Sequence, residues 1–433
     1  MIKKILNLLI PFILLSCSAN TNSDFWNKDF KNEKMKENQK VLFKEKQNNL
    51  SKTNTNVKIL LKENYNLDSF VNNLTNNNKI TNYDGKLQKN NNFSFNKIKN
   101  YKFFLPEILV TKNKNFIYFD GNGNIFKLNS DLKIIWKSNI YKKKEKKLDP
   151  IIRFSQHKNT LIAVDSLANY FALNMKNGKL LWKFTNISPF NSQVKVYKDK
   201  MYVVDLEDTL RCYSVLDGKS LWNYKSETSF IKSTKSSSLV IKDNKIIFIN
   251  SLGDVNALTL DDGNLIWQTP TQNNPVFEES FSIIYSDIVS DEKSIYFSNN
   301  RNQIFSLNIK NGSVNWINRI NSSIRPTIIN KLLFTISEDG FLVVINKFNG
   351  QIIRATNFGE SDKLFAKKNS KINGFVIAKN NIMLSLNGSL LKINIEYGKI
   401  EDIIKLSKNN ISRPVVSKRE LVIVTEKKIK TFN

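Results

Sequence analysis

The stretch from Phe171 to Trp182, "FALNMKNGKLLW", combines an apolar run, an Asn-Gly pair, a second apolar run and a tryptophan. Asn-Gly between two apolar runs is a strong signal for a tight hairpin turn. The same step of four residues from glycine to tryptophan recurs from Gly218 to Trp222, from Gly263 to Trp267 and from Gly312 to Trp316. These copies indicate a structural repeat.

Degenerate copies extend this repeat over most of the chain. One copy lacks the turn glycine and ends at Trp136, and two copies keep the glycine but end at Arg354 and Asp402. The separations between successive markers, 38 to 49 residues, are typical of four-stranded propeller blades rather than of helical repeats of about 34 residues. After residue 100, short β-branched runs alternate with Gly/Asp turns, and no sustained helical periodicity occurs. The pattern predicts an all-β propeller.

The repeated tryptophans are interpreted as packing residues. A large ring on the strand after the turn can bury its area against the neighbouring blade while its indole N–H reaches a backbone carbonyl. We therefore expect the blade-docking residues to be Trp136, Trp182, Trp222, Trp267 and Trp316.

The last repeat supplies three strands and lacks the fourth. Counting it as a blade gives eight four-stranded antiparallel blades over 92–433, but the eighth would expose an unpaired edge. The segment "NFSFNKIK" at 92–99 lies just before the first blade. We predict that it is the outer strand of the C-terminal blade and closes the ring.

The first residues have the features of a bacterial lipoprotein signal. Lys3 and Lys4 precede an apolar run from Ile5 to Leu15, and "LLSC" at 14–17 matches the lipobox. This predicts a signal peptide over 1–16 and lipid attachment to Cys17. Since the residue after Cys17 is serine, lipoprotein sorting rules favour a lipid-anchored protein on the periplasmic face of the outer membrane. The alternative is an ordinary secretory signal or a short membrane anchor.

Residues 17–91 are dominated by Asn and Lys, as in "VNNLTNNNKI" at 71–80. Such a composition predicts a flexible, largely irregular tether. With Cys17 acylated, Cys212 is alone, so the sequence predicts no intramolecular disulfide and a buried free thiol.

The formal net charge of +28 raises the question of a nucleic-acid partner. The lysines are spread over nearly every turn, and the densest run, "YKKKEKK" at 141–147, lacks grouped aromatic residues that would stack bases. We therefore expect no nucleic acid. Attraction to anionic lipid headgroups or to an acidic partner is the milder interpretation.

Catalytic motifs are missing from the sequence. His157 is the only histidine, which excludes metal sites built on several histidines and a Ser-His-Asp triad elsewhere. There is no P-loop and no G-x-G-x-x-G. We expect a protein that is not an enzyme and has no cofactor or metal.

The repeat resembles the tryptophan-docking motif of the pyrroloquinoline-quinone-type β-propellers. The copies over 172–182 and 257–267 share the spacing of that motif from an alanine through the turn glycine to the tryptophan, with Asn174 or Thr259 where the motif has Asp. In the copy that ends at Trp222, Cys212 takes the alanine position.

Two branches of this superfamily differ in function. Quinoprotein dehydrogenases add a vicinal cysteine pair and a calcium-held quinone, whereas the BamB family of lipoproteins carries bare blades behind a lipobox. Because Cys212 has no neighbouring cysteine, the chain resembles the BamB branch. The resemblance implies a non-catalytic scaffold of the β-barrel assembly machinery. It would hold the periplasmic domains of the barrel-inserting, BamA-like subunit, as a monomer within that complex.

In that family a hydrophobic and basic loop before the fourth blade contacts the barrel-inserting subunit. Its counterpart here, "SFIKS" at 229–233, places Ile231 and Lys232 at the matching positions, although an ordinary surface loop is the alternative. The family's acidic pair before the fifth blade is not reproduced, since Ile283 and Tyr285 stand there and only Asp287 is near. Other functions left open are binding to another envelope partner or to cell-wall polymer, and a quinoprotein dehydrogenase.

Overall fold

The computed structural model describes residues 50, 57–61, 65–66, 73–99, 101, 105–233, 235–272, 283–358 and 371–433. The predicted signal peptide, Cys17 and most of the expected tether lie outside the described residues. Residues 49–433 form one compact unit. Within the described ranges no helix has the length and apolar character needed to cross a membrane.

The chain folds as an eight-bladed β-propeller of four-stranded antiparallel blades, as predicted. The first strand of each blade is innermost and the fourth is outermost. Blade 1 comprises Leu109–Val110, Phe116–Phe119, Ile125–Leu128 and Ile134–Ser138. Blade 2 comprises Ile152–His157, Thr160–Asp165, Asn169–Asn174 and Leu180–Thr185. Blade 3 comprises Lys195–Tyr197, Lys200–Val204, Thr209–Ser214 and Ser220–Lys225. Blade 4 comprises Leu239–Lys242, Lys245–Ile249, Asp254–Thr259 and Leu265–Pro270.

The remaining blades continue the same order. Blade 5 comprises Val289–Ser290, Ser294–Asn299, Gln303–Asn308 and Val314–Asn318. Blade 6 comprises Thr327–Ile329, Leu332–Ile336, Phe341–Asn346 and Ile352–Asn357. Blade 7 comprises Ile372–Ala378, Asn381–Leu386, Ser389–Asn394 and Ile400–Lys405. Blade 8 comprises Val415–Ser417, Glu420–Val424, Lys428–Phe432 and, as its outermost strand, Lys89–Ser94. A short helix, Lys143–Lys146, lies between blades 1 and 2.

Burial follows from the stacking of blades face to face. The two middle strands are apolar on both faces, and every residue of Phe116–Phe119 and of Ile125–Leu128 is buried. A strand that is covered on both faces needs no alternation of apolar and polar residues, which explains the continuous apolar runs in the sequence. The outermost strands expose alternate side chains, as Ser220–Lys225 does.

The strand upstream of blade 1 closes the ring. Lys89–Ser94 pairs antiparallel with Lys428–Phe432, with Phe93 opposite Ile429. The prediction that this segment forms the outer strand of the C-terminal blade is confirmed, although the strand begins and ends a few residues earlier than 92–99. Beyond Ser94 the chain still follows blade 8, since the Phe95 amide donates to the Lys427 carbonyl at 3.0 Å. This pairing leaves blade 8 without the open edge that three strands alone would present.

The segment Asn73–Thr81, which the composition assigns to the tether, lies inside the central channel. The Asn76 side-chain amide donates to the carbonyl oxygens of Leu239 and Ile288 at 3.0 and 2.9 Å. Asn77 exchanges two hydrogen bonds with the backbone of Ile328. Ile80–Thr81 then pairs parallel with the inner strand of blade 7, and Tyr65–Asn66 pairs with Ile80–Thr81. The segment therefore crosses the channel from blade 4 to blade 7.

The antiparallel order divides the connections between two faces. We call the channel face the side formed by the loops from the outermost strand of one blade to the innermost strand of the next. Their described residues are 95–99, 101, 105–108, 139–151, 186–194, 226–233, 235–238, 271–272, 283–288, 319–326, 358, 371 and 406–414. The opposite side, the hairpin face, carries the turns that precede the outermost strands of blades 1 to 7.

Candidate functional site

The tryptophans of the repeat lie at junctions between blades. Each packs on the turn glycine of the next blade, in the pairs Trp136 on Gly178, Trp182 on Gly218, Trp222 on Gly263, Trp267 on Gly312 and Trp316 on Gly350. These glycines have φ from +71° to +75°, and a Cβ atom at any of them would lie within 3.0 Å of the ring. Glycine is therefore required both by the backbone conformation and by the close approach of the indole.

Four of the five indoles donate a hydrogen bond across the junction. The acceptor is the carbonyl oxygen three residues before the docking glycine, in the pairs Trp136 to Met175 at 3.0 Å, Trp182 to Val215 at 3.2 Å, Trp267 to Ile309 at 3.0 Å and Trp316 to Lys347 at 2.9 Å. Trp222 differs, because its Nε1 is buried without a hydrogen-bond partner. The equivalent acceptor, the Leu260 carbonyl, receives the Tyr202 hydroxyl at 3.0 Å instead.

Arg354 stands at the tryptophan position of blade 6 and replaces the indole with a guanidinium. Its Nη2 donates to the Ile395 carbonyl at 2.6 Å, which is the acceptor position that the indoles use in other blades. Its Nη1 donates to the carbonyls of Glu396 at 2.6 Å and Val57 at 3.1 Å. The Arg354 side chain is completely buried, and burial lowers its pKa to about 10. One arginine thus joins blade 6, blade 7 and an N-terminal segment.

Cys212 pairs across its sheet with Trp222, at the small-residue position of the motif. The thiol is free and buried, and burial raises its pKa to about 12. His157 ends a strand rather than lying in an exposed turn, and its Nε2 is 2.8 Å from Asp199 Oδ1. Within the described ranges no three His, Cys, Asp or Glu side chains form a group that could hold a metal ion.

The loop with Ile231 and Lys232 lies on the channel face between blades 3 and 4. Phe230 is fully exposed and Ile231 is 41% exposed. Lys232 turns back to the propeller, where its Nζ donates to Asp208 Oδ2 at 2.7 Å and to Ser251 Oγ at 3.2 Å. Lys232 therefore holds the base of the loop, and the apolar side chains form its free surface.

Further exposed apolar residues come from the two preceding loops of the same face. Leu148 is 64% exposed between blades 1 and 2, and Ile187 is 94% exposed between blades 2 and 3. We call Leu148, Ile187, Phe230 and Ile231 the apolar rim. Because three consecutive inter-blade loops supply these residues, the rim follows one side of the channel mouth.

The residues that replace the family's acidic pair point inward. Ile283 is buried, and the Tyr285 hydroxyl lies 3.1 Å from Thr271 Oγ1. Asp287 faces the channel, where the Nε of Arg325 donates to its Oδ2 at 2.7 Å. This part of the channel face is therefore built differently from the family pattern.

The centre of the channel face holds a cluster of charged and polar side chains that the sequence analysis did not identify. Five members stand two residues before an inner strand, namely Glu107, Gln193, Asp287, Arg325 and Arg413. A charged or polar side chain at this fixed offset from five of the inner strands, together with the repeated Arg-Pro of 325–326 and 413–414, is the sequence signal that could have revealed the cluster.

Arg325 is the centre of this cluster and is only 4% exposed. Besides Asp287, it donates from Nη2 to Glu107 Oε1 at 3.2 Å. Burial alone would raise the pKa of Asp287, but the charges of Arg325 and Lys235 outweigh burial and hold that pKa well below its usual range. Asp287 is therefore ionised and paired with Arg325.

Burial also lowers the pKa of other cations in the channel. Burial lowers the pKa of Arg153 to about 10, and burial together with the charge of Arg325 lowers that of Arg413 to about 9. Lys195 lies deeper, donates to Asn76 Oδ1 at 2.6 Å and is completely buried. Burial and Arg325 lower its pKa to about 7. The channel is thus a buried environment with an excess of positive charge.

Comparisons with known proteins agree with this architecture. The family profile described as outer membrane protein assembly factor BamB matches residues 122–356, which is more than half of the chain. A curated relative, the uncharacterized protein RP232 of Rickettsia prowazekii (strain Madrid E), is 26% identical over 207 residues, which are 44% of this chain and 49% of that protein. The chain thus spans about half the length of the curated relative it matches.

Similar solved structures share the fold at low identity. BamB from Moraxella catarrhalis aligns with a TM-score of 0.65 and 13% identity, over 80% of this chain and 99% of that one. Quinohemoprotein alcohol dehydrogenase from Comamonas testosteroni aligns with a TM-score of 0.59 and 9% identity, over 82% of this chain and 78% of that one. At these identities the likeness shows the fold alone, because one fold hosts many functions.

Proposed function

Because the chain belongs to the family of outer membrane protein assembly factor BamB, we propose that it is a non-catalytic scaffold of the β-barrel assembly machinery. In this role it holds the periplasmic domains of the barrel-inserting subunit while outer-membrane proteins are inserted. It acts as a monomer within that complex and uses no cofactor. The apolar rim is the observation that carries this proposal.

The apolar rim has the composition of a contact surface. Phe230 and Ile187 are almost fully exposed, at 102% and 94%. Solvation of large apolar side chains is unfavourable, and aromatic anchors contribute much of the binding energy at protein interfaces. Lys232 fixes the loop that carries Phe230, so less conformational entropy is lost when a partner binds.

The same rim argues for a particular orientation of the partner. Its residues lie on the channel face and come from the loops between blades 1 and 4. The partner domain would then approach the channel face off-centre and contact Phe230 and Ile231 first. Lys232 supports this contact from beneath through Asp208 and does not supply its area.

Crosslinking in the native envelope tests this orientation. A photo-reactive amino acid at Phe230 should capture the barrel-inserting subunit. Leu216 is the matched control, because it is apolar and 73% exposed but lies on the hairpin face. Equal capture from both positions would contradict the orientation. Capture of a different envelope protein, or of cell-wall polymer, from position 230 would replace the proposed partner.

Anchoring through lipid on Cys17 is the second part of this proposal. The lipobox pattern at 14–17 supports this anchor. A lipid on Cys17 would hold the chain on the periplasmic face of the outer membrane. Cys17→Ser should remove the lipid and release the protein from the outer-membrane fraction. An unmodified Cys17 in the parent, found by mass spectrometry, would contradict the anchor.

A quinoprotein dehydrogenase is the enzymatic competitor, since one such enzyme shares the fold. The lone buried thiol of Cys212, with its raised pKa, does not supply the vicinal cysteine pair of that branch. Titration with quinone and calcium decides between the two functions. Alcohol-dependent reduction of a dye by the loaded protein would overturn the scaffold proposal.

A further inference from the structure

The central cavity is a feature that the scaffold role does not use. It has a volume of about 270 Å³ and opens on the channel face. This size lies just below the usual range for small-molecule sites, roughly 300 to 1,000 Å³, so the cavity suits a small ligand. One part of its wall is apolar, formed by Ile152, Phe154 and Ile324 among others.

The other part of the wall carries more positive than negative charge. Among the described residues that line the cavity at depth, the cations are Arg153, Lys235, Arg325 and Arg413, and the carboxylates are Glu107 and Asp287. Lys371, which is more exposed, adds a further cation to the cavity wall. Nearby negative charge stabilises buried cations, so this wall favours a ligand that brings negative charge.

The two carboxylates are already engaged by one arginine. Arg325 contacts both Glu107 and Asp287. Arg153, in contrast, donates from Nη1 to the Phe190 carbonyl at 3.5 Å and from Nη2 to the Ser236 hydroxyl. Both acceptors are neutral, so within the described part of the chain the guanidinium of Arg153 contacts no carboxylate.

Asn373 is a polar residue of the cavity wall. It stands at a β-bulge between Ile372 and Gly374 in the inner strand of blade 7 and lines the cavity. Its Oδ1 and its Nδ2 are both buried without a hydrogen-bond partner. Because both amide atoms are closed to solvent, a charge introduced at this position would act on a ligand in the cavity through its electric field rather than by contact.

The channel below the cavity is crossed by the chain itself. In the segment Asn73–Thr81, Asn76 contacts Lys195 of blade 3 and backbone carbonyls of blades 4 and 5, and Asn77 contacts blade 6. The segment then pairs with the inner strand of blade 7. The N-terminal segment therefore crosses the channel deeper than the residues that line the cavity. The buried guanidinium groups of the cavity wall interact more strongly with a charged ligand than groups in water would.

We propose that this pocket binds a small organic carboxylic acid. Its carboxylate meets Arg153, since guanidinium groups recognise carboxylates with two parallel hydrogen bonds. The carbon body of the ligand lies against Ile152 and Ile324. An inorganic anion satisfies the charge but leaves the apolar wall bare.

Calorimetric titration of the purified full-length chain with citrate tests the proposal. Inorganic phosphate and chloride are titrated at equal ionic strength. Citrate should bind at one site per chain and at least tenfold more tightly than phosphate. Heats from citrate that match those from chloride would overturn the proposal, and phosphate that binds as tightly as citrate would overturn its assignment to an organic acid.

Variants locate the site. Asn373→Asp has nearly the same shape and adds negative charge to the pocket, so it should lower the affinity for citrate at least tenfold. Arg153→Gln should do the same. If Arg153→Gln does not fold, as judged by circular dichroism, the isosteric Asn373→Asp decides alone. Lys219→Gln, on the hairpin face, removes one exposed charge as a matched control and should bind like the parent. Unchanged affinity in Asn373→Asp would contradict the site.

Discussion

Changing Trp182 to phenylalanine should destabilise the propeller more than the same change at Trp222, because only Trp182 uses its indole N–H. The two positions are matched in other respects. Both rings are half-buried, and both pack on a turn glycine of the next blade. The Trp182 Nε1 donates to the Val215 carbonyl at 3.2 Å, whereas the Trp222 Nε1 is buried without a partner.

The size of the difference follows from the hydrogen bonds. Trp182→Phe loses a bond worth about 0.5–1.5 kcal/mol and leaves the Val215 carbonyl without its donor. Trp222→Phe removes a buried N–H whose lack of a partner costs about 1–3 kcal/mol in the parent. The loss of ring area is similar at both sites and cancels in the comparison. We expect Trp182→Phe to cost about 2–4 kcal/mol more than Trp222→Phe.

Urea unfolding of the two variants and the parent measures this difference. The midpoint should move while the dependence on urea stays the same, which shows that stability alone has changed. Tyr202→Phe serves as a further check, because it frees the Leu260 carbonyl for the Trp222 indole. Equal costs for the two tryptophan changes, or a larger cost at Trp222, would refute this account of the junctions.

Three further predictions concern buried polar groups and the seam of the ring. Arg354→Ala should lower the free energy of unfolding by about 3–5 kcal/mol, since three carbonyl oxygens lose a charged donor. Arg354→Lys keeps the charge but not the forked guanidinium, so urea unfolding should show that it restores only part of this stability. Lys195 has a pKa of about 7 in the folded chain and 10.5 ordinarily. Between pH 7 and pH 10.5 the unfolded chain therefore binds more protons than the folded chain, and the free energy of unfolding should rise with pH. From pH 7 to 8.5 the free energy of unfolding should rise by about 2 kcal/mol in the parent, and Lys195→Met should abolish this rise. An equal dependence on pH in the parent and the variant would contradict the low pKa of Lys195. Deletion of Lys89–Ser94 should expose the edge of blade 8 and leave a less stable chain that associates, seen by light scattering, whereas a monomer of parental stability would show that the edge needs no cover.

The sequence predicted the propeller because its repeat records a steric requirement. An indole that packs within van der Waals distance of a backbone at positive φ needs glycine beneath it, so Gly and Trp recur at a fixed step. Arg354 shows where this signal weakens. Arg354 replaces the tryptophan but still donates a hydrogen bond to the next blade, so this junction is intact. In the sequence, the copy of the repeat that ends at Arg354 nevertheless looks degenerate.

The channel was not predicted, for two physical reasons. Its charged residues are single side chains contributed by different blades, and each looks like an ordinary loop residue until the ring brings Glu107 close to Arg325. The segment from Asn73 to Thr81 was assigned to the tether because composition does not distinguish a solvated amide from a buried one. Inside the channel, the amides of Asn76 and Asn77 donate to backbone carbonyls of inner strands that have no further strand beside them.

The two N-terminal segments share one consequence for how the ring holds together. Ile80–Thr81 pairs with Ile377–Ala378 of blade 7, and Lys89–Ser94 pairs with Lys428–Phe432 of blade 8. These pairings join residues about 300 and about 340 positions apart in sequence, whereas the other strands of each blade pair with sequence neighbours. The chain-entropy cost of these contacts grows only slowly with loop length, but both must wait for the C-terminal blades to be made. We therefore expect the seam at blades 7 and 8 to form last, when one N-terminal segment crosses the channel and the next closes the ring.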